Sequence, residues 1–346
     1  MRVRDMLDAS ALALPVMLLI GCFPPVDPDW LEREPELLAL RIEVDEPGPL
    51  GDLVAPVPID RQRVEALPGD RIRFEPWVLA PEGVQDGTDI DAVYFTCDPE
   101  GDCFTALASD AAMEACDPAA PALPCMIGRG ADVRYVLPGI EALALVGPLL
   151  LQVLVVAGQP DVRDTDDCID ELQRDPYRDL HGCMLLTRTI PIGPNWLLSV
   201  ALGDPSAIEE LPPEVLLQWP NFNPEVGEIS GAIDNRPFSA HAGDRLQVGV
   251  GQRVRMSVVP DPRDAQQYAV GVVGETVTRV SEGLSTDWYA NGQVDTTTDY
   301  WEEAPILTWS SRVEGAVRFD VLLSDRIGGL GWGSITFEVG PASAPG

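Results

Sequence analysis

The stretch GDRIRF at residues 69–74 recurs later in the chain as GQRVRM at residues 251–256. In both copies a glycine turn precedes strict alternation of polar and apolar side chains. Successive side chains of a β-strand point to opposite faces, so this period of two predicts a strand with one buried face and one solvated face. The recurrence predicts that the chain holds two copies of one strand-rich domain.

The residues after the two stretches keep the same order in both copies. A proline-containing turn comes first, and a strand with adjacent aromatics follows, Tyr94–Phe95 in one copy and Trp288–Tyr289 in the other. Two further apolar strands end each copy. Their predicted bounds are Leu149–Ala157, Met184–Ile192, Ala316–Leu323 and Ser334–Val339. Short strands, Gly and Pro turns and almost no helical periodicity predict an all-β protein of two tandem β-sandwich domains.

In this pattern the chain resembles the immunoglobulin-like domains of bacterial surface lipoproteins over most of residues 37–340. The resemblance implies two immunoglobulin-like β-sandwich domains, with Trp288 on a central strand where an aromatic packs against the opposite sheet. Six cysteines fall in or beside insertions of the first copy, which we therefore expect to carry disulfide-stapled loops.

The N-terminus predicts export. Arg2 and Arg4 precede an apolar segment, Ala9–Ile20, which is too short to span a bilayer stably and ends in Leu-Ile-Gly-Cys at residues 19–22. This resembles the lipobox of bacterial lipoproteins, which implies that Cys22 receives lipid and becomes the first residue of the mature protein. Phe23 in place of aspartate favours the outer membrane. A plain cleaved signal with an incidental cysteine is the alternative.

Proline-rich segments set the predicted domain bounds. They are a lipoprotein signal peptide at 1–21, a Pro-rich tether at 22–36, an immunoglobulin-like domain with Cys-rich insertions at 37–193, a Pro-rich linker at 194–223, a second immunoglobulin-like domain at 224–340, and a tail at 341–346.

The chain is strongly acidic. Its 346 residues contain 23 basic and 56 acidic side chains, which gives a formal net charge of −33. Such a surface repels phosphate backbones and anionic headgroups, so we expect no nucleic-acid partner and no membrane contact except through the N-terminal lipid. An envelope protein or a glycan remains as the expected partner.

Seven cysteines divide into Cys22 and six others. In an exported chain an even number of cysteines predicts disulfides, and six of them allow 15 pairings. Sequential pairing is favoured because each bond then closes one loop: Cys97 with Cys103, Cys116 with Cys125, and Cys168 with Cys183. A zinc site is the weaker alternative, since no pair has C-x-x-C spacing.

Catalytic motifs are scarce. The chain holds only two histidines, His181 and His241, and has neither a G-x-S-x-G nor an H-E-x-x-H motif. We therefore predict no enzyme and no resident cofactor. Paired carboxylates keep a secreted glycoside hydrolase as the least favoured alternative.

Two stretches are candidate binding sites. Four acidic residues beside Cys168 offer the oxygen ligands that calcium prefers, although a solvated acidic loop is the favoured interpretation; they are Asp164, Asp166, Asp167 and Asp170. Four aromatics among amides and threonines suit stacking on sugars or packing in a core; they are Trp288, Tyr289, Tyr300 and Trp301.

Together these patterns predict a lipid-anchored protein of the bacterial cell envelope, in the outer membrane, that acts as a non-catalytic binding or scaffold module. A glycan-binding or calcium-binding surface adhesin is the alternative.

Overall fold

The computed structural model describes the chain in eleven stretches: residues 35–98, 101–119, 123–139, 150–176, 180–193, 218–273, 276–281, 283–291, 295–299, 306–325 and 327–341. The predicted signal peptide, Cys22, most of the tether and most of the 194–223 linker lie outside the described residues.

Domain 1 (residues 36–193) is a sandwich of two sheets. Its strands are β1 (Glu36–Glu46), β2 (Arg71–Ala80), β3 (Gly83–Asp86), β4 (Ala92–Cys97), β5 (Cys125–Arg129), β6 (Val133–Val136), β7 (Leu150–Gly158) and β8 (Cys183–Pro191). One sheet has the order β1-β2-β3, with β6 also paired to β2, and the other has the order β5-β4-β7-β8. All of these pairings are antiparallel.

Domain 2 (residues 224–340) repeats the plan with more strands. They are β9 (Glu228–Ile233), β10 (Arg236–His241), β11 (Arg245–Gly249), β12 (Val254–Val259), β13 (Gln267–Val273), β14 (Thr276–Ser281), β15 (Ser285–Ala290), β16 (Asp295–Asp299), β17 (Ile306–Ser310), β18 (Gly315–Ser324) and β19 (Leu330–Gly340). The β13-β14 hairpin stands apart from two larger sheets, ordered β10-β9-β12-β17-β16 and β11-β19-β18-β15.

Strand order in domain 2 is that of an immunoglobulin fold. If β9, β12, β15, β16, β17, β18 and β19 are lettered A to G, one sheet contains A, B, E and D and the other contains C, F and G. Trp288 lies on strand C and is buried in the core between the sheets. The all-β, tandem immunoglobulin-like fold predicted from the sequence is confirmed.

The two opening stretches behave as their alternation predicts. Ile72 and Phe74 of β2 are fully buried while Arg71 and Arg73 are partly exposed, and Val254 and Met256 are buried around an exposed Arg255. Phe74 stacks on Tyr94 with ring centroids 5.7 Å apart. In domain 2 the corresponding core centres on Trp309, which contacts Phe319 at 4.8 Å and Phe337 at 4.9 Å.

Domain 1 carries its insertions as two short helices, α1 (Cys103–Ala106) and α2 (Thr165–Arg174). Disulfides join Cys97 to Cys103, Cys116 to Cys125, and Cys168 to Cys183, which is the sequential pairing favoured by the sequence. The helices pack on the outer face of β4 and β7 in a small separate core that includes Phe95, Leu154 and Leu172. The disulfides thus fix insertions whose own apolar area is small.

Among the described residues, no helix is both long and apolar enough to cross a membrane. The apolar run before Gly158 ends in β7, where Val153 to Ala157 are completely buried. β7 is therefore a central strand with both faces covered.

Candidate functional site: the junction between the two domains

Three of the four acidic residues of the calcium hypothesis lie at the start of a helix, and the fourth, Asp170, lies within it, rather than in the acidic loop that the sequence suggested. Asp164 is the N-cap of α2, Asp166 and Asp167 occupy its first turn, and all are exposed. Carboxylates are favourable there because the helix dipole is positive at its N-terminus, and the buried Ile169 and Leu172 hold the helix on the sheet.

Asp166 is also engaged, since its Oδ1 accepts a hydrogen bond from Arg129 Nη1 at 2.7 Å. Asp170 pairs loosely with Arg174 at 4.0 Å, one turn further along the helix. Within the stretches that the structure describes, no group of three or more His, Cys, Asp or Glu side chains is arranged to hold a metal ion. The positions of these four acidic residues are therefore explained by the helix and by their arginine partners.

The candidate aromatic residues separate. Trp288 is 8% exposed and packs in the core of domain 2, so it presents no face to a ligand. Tyr289 points to the other side of β15 and packs against an apolar cluster shared by the two domains. Tyr300 and Trp301 lie outside the described residues.

That shared cluster is the apolar half of the junction. Domain 1 contributes Ala39, Trp77, Leu79 and Val84, and domain 2 contributes Leu322 and Leu330, all buried. Trp77 meets Trp332 edge to face, with ring centroids 6.2 Å apart. Interfaces between domains of one chain are usually smaller and more polar than the interfaces of obligate complexes. A buried tryptophan at this position therefore indicates a fixed contact between the domains.

Arg61 forms the polar half. Its side chain is 2% exposed and reaches from domain 1 to three carboxylates of domain 2: Asp264 at 3.2 Å, Glu225 at 2.6 Å and Asp261 at 3.2 Å. The Asp264 side chain is fully buried, and burial raises its pKa even though Arg61 opposes this effect. Each buried charge therefore depends on a partner supplied by the other domain.

Another carboxylate of domain 2 contacts the backbone of domain 1. Asp320 of β18 is 1% exposed, and its Oδ2 accepts the backbone N–H of Val84 at 3.2 Å. Its Oδ1 accepts from Arg318 at 2.8 Å. Gly83 has φ +114°, and any Cβ there would strike the Asp320 carboxylate, so only glycine allows this close approach.

The end of the predicted linker is part of the junction. Asn221, Phe222 and Asn223 are at most 2% exposed and lie between the domains. Asn223 donates through Nδ2 to the Ile42 carbonyl at 2.9 Å and accepts the Leu330 N–H at 2.9 Å. One side chain thus joins a strand of each domain, and residues 221–223 act as a buried strap.

Glu65 lies beneath this strap. Its Oε2 accepts the Asn221 N–H at 3.0 Å. Burial raises the pKa of Glu65 to about 7; the Asn221 hydrogen bond and the charge of Arg63 oppose the rise, and Asp325 adds to it. Burial likewise raises the pKa of Asp325, whose neighbours include Arg188. Glu65 and Asp325, like Asp264, are therefore more easily protonated than exposed acids.

Sequence reasoning missed this junction. Arg61, Arg63 and Glu65 alternate in a polar run typical of exposed loops, and the Asn-Phe-Asn of the strap lies in a proline-rich stretch typical of linkers. The one usable signal was a large aromatic, Phe222, between two amides inside the supposed linker.

No family model and no curated protein matches the chain. Among solved structures it is similar to the fibronectin(III)-like modules of Clostridium thermocellum CbhA, with 9% identity, coverage of 89% of this chain and 97% of that chain, and a TM-score of 0.25. Domains 4 and 5 of the S-layer protein SbsC match with 9% identity, coverage of 88% of this chain and 98% of that chain, and a TM-score of 0.19. The tandem Ig repeats of Dlar match with 10% identity, coverage of 89% of this chain and 100% of that chain, and a TM-score of 0.21. These TM-scores are low, so the fold assignment rests on the strand order described above.

Proposed function

We propose that the protein is a lipid-anchored module of the bacterial cell envelope that acts without catalysis, as a rigid two-domain scaffold or binding unit. The observation that carries this proposal is the junction, where Arg61 and Asp264 are buried against each other across the two domains. Separating the domains would leave Asp264 without its charged partner, would leave Arg61 with only the Asp60 carboxylate of its own domain, and would expose the apolar cluster of the junction. The two domains therefore present their loops in one fixed arrangement.

Anchoring is supported by the sequence around Cys22. A lipidated cysteine followed by a proline-rich tether would hold the rigid unit at a distance from the bilayer. The acidic surface suits such a position, because repulsion from anionic headgroups favours the lipid as the sole membrane contact.

The anchor is tested by metabolic labelling with an alkyne fatty acid in cells that express the wild type or Cys22→Ala. We expect label and membrane fractionation for the wild type and neither for the variant. Equal labelling of both chains would overturn the anchor. Partners are then captured by photo-crosslinking from engineered surface positions, because the chain contains no lysine for amine-reactive reagents.

Rigidity is tested separately by differential scanning calorimetry. A fixed junction predicts a single cooperative transition for the wild type. Trp77→Ala removes the largest apolar group of the junction and is expected to split that transition into two. Two transitions in the wild type would show that the domains unfold independently and would contradict the rigid unit.

A further inference from the structure

A cleft of about 370 Å³ opens at the surface beside the junction. The described residues that line it are Gln218, Trp219, Pro262, Arg263, Ala265 and Gln266. They come from the segment just before the strap and from the loop after β12, so the cleft lies where these two segments meet. Its volume falls within the range of about 300–1,000 Å³ that is usual for small-molecule sites.

Trp219 is the dominant feature of the cleft. It is 42% exposed and is the one aromatic among the large exposed apolar side chains of the described residues. Its ring rests edge to face on Phe222 at 6.2 Å, and Phe222 is itself buried beneath the Arg61 guanidinium at 5.9 Å. The indole is therefore held by the junction with part of its surface in solvent, which lowers the entropic cost of binding a ligand.

An ordered set of charged groups borders the ring. Arg263 donates to Asp60 of domain 1 at 3.1 and 3.2 Å and to Asp261 at 2.7 and 3.0 Å. The three side chains stay 28–49% exposed although they are paired. Arg263 lines the cleft, and the carboxylates of Asp60 and Asp261 are fixed beside it by these bonds, so the half-exposed groups include both acceptor oxygens and guanidinium N–H groups.

We propose that this cleft binds a neutral saccharide, which stacks on Trp219 and bonds through its hydroxyls to the rim. The apolar C–H face of a sugar ring fits a flat indole, and each hydroxyl both donates and accepts. Two carboxylates against one guanidinium, on a chain of net charge −33, disfavour anionic sugars. This inference rests on the proposed binding function and names its ligand class.

The test is isothermal titration calorimetry on the full chain carrying Cys22→Ala, which leaves it free of lipid. The probes are cellotetraose, mannotetraose, maltotetraose and N-acetylchitotetraose, with tetragalacturonate as the anionic comparison. We expect at least one neutral probe to bind with a Kd of about 1 mM or tighter, and tetragalacturonate to bind at least tenfold more weakly.

Two variants then assign the site. Trp219→Ala is expected to weaken binding about tenfold, since it removes the stacking surface. Val313→Ala also removes an exposed apolar side chain, but away from the cleft lining, and is expected to leave affinity unchanged. If none of the neutral probes binds, or if Trp219→Ala binds as tightly as the parent chain, the saccharide site is wrong.

Failure here is distinguishable from failure of the proposed function. Lipid labelling at Cys22 and the single calorimetric transition do not depend on a ligand. If the chain is labelled at Cys22 and unfolds in one transition but binds no neutral probe, the anchored scaffold stands and the saccharide site is removed. If a neutral saccharide binds but the wild-type chain takes up no lipid label, the saccharide site stands and the lipid anchor is removed.

Discussion

Glu65 makes the stability of the protein depend on pH in a direction opposite to that of most surface acids. In the folded state its pKa is about 7, against an ordinary value of 4.5. Between these two values the folded protein holds a proton that the unfolded chain has released. Stability is therefore lost as the pH rises through this window, and the full difference corresponds to about 3 kcal/mol.

The substitution Glu65→Gln isolates this effect. Glutamine keeps an oxygen that can accept the Asn221 N–H but carries no charge at any pH. Between pH 5 and pH 8, two-state linkage with the two pKa values gives a wild-type loss of roughly 2–3 kcal/mol relative to the variant. Burial also raises the pKa values of Asp264 and Asp320, which steepens both curves but cancels in the difference, because neither residue is among the groups that shift the pKa of Glu65.

The assay is urea-induced unfolding at pH 5, 6, 7 and 8, followed by tryptophan fluorescence, for the wild type, Glu65→Gln and the exposed control Glu314→Gln. We expect the difference between wild type and Glu65→Gln to grow with pH, while Glu314→Gln stays parallel to the wild type. A wild-type minus Glu65→Gln difference that is constant to within about 0.5 kcal/mol would refute the assignment of a buried, easily protonated Glu65.

Three further substitutions test the fold. Arg61→Met is expected to destabilise the protein by about 3–5 kcal/mol because it leaves buried Asp264 without its partner; urea unfolding measures this, and recovery in Arg61→Met/Asp264→Leu would show that the unpaired charge is the cause. The double change Cys168→Ala/Cys183→Ala opens a disulfide across a sequence separation of 15 and should lower stability by about 3 kcal/mol, whereas a reducing agent should then have no additional effect at that site. Trp77→Ala should cost about 3–5 kcal/mol in the same assay, and a loss under 1 kcal/mol would mean that the apolar cluster is loosely packed.

Much of the fold could be predicted because it follows from local pattern. The alternation at residues 69–74 and 251–256 identified β2 and β12, and the adjacent aromatics at Tyr94 and Trp288 identified β4 and β15. Such periodicity survives folding because each strand must turn one face to a core, whatever its neighbours are. Helix α2 was not predicted from the sequence because it is only ten residues long and begins with acidic residues that also suit a loop.

The candidate sites were harder to predict because exposure is not a local property. Trp288 and Trp219 both stand beside polar residues in the sequence, yet one is buried between sheets and the other is exposed at the junction. The sugar site that we propose lies at Trp219, in a segment that composition marked only as linker.

The amino-acid sequence by itself determined the strand pattern and the duplication, and it favoured the closing of insertions by sequential cysteines. Each of these depends on residues close together in the chain. Only the tertiary structure decided that the domains are joined through buried charges such as Arg61 with Asp264, which are 203 residues apart. The physical reason is that the pairing and pKa of a charged group are set by what surrounds it in space, and alternation within a single strand carries no information about the partner domain.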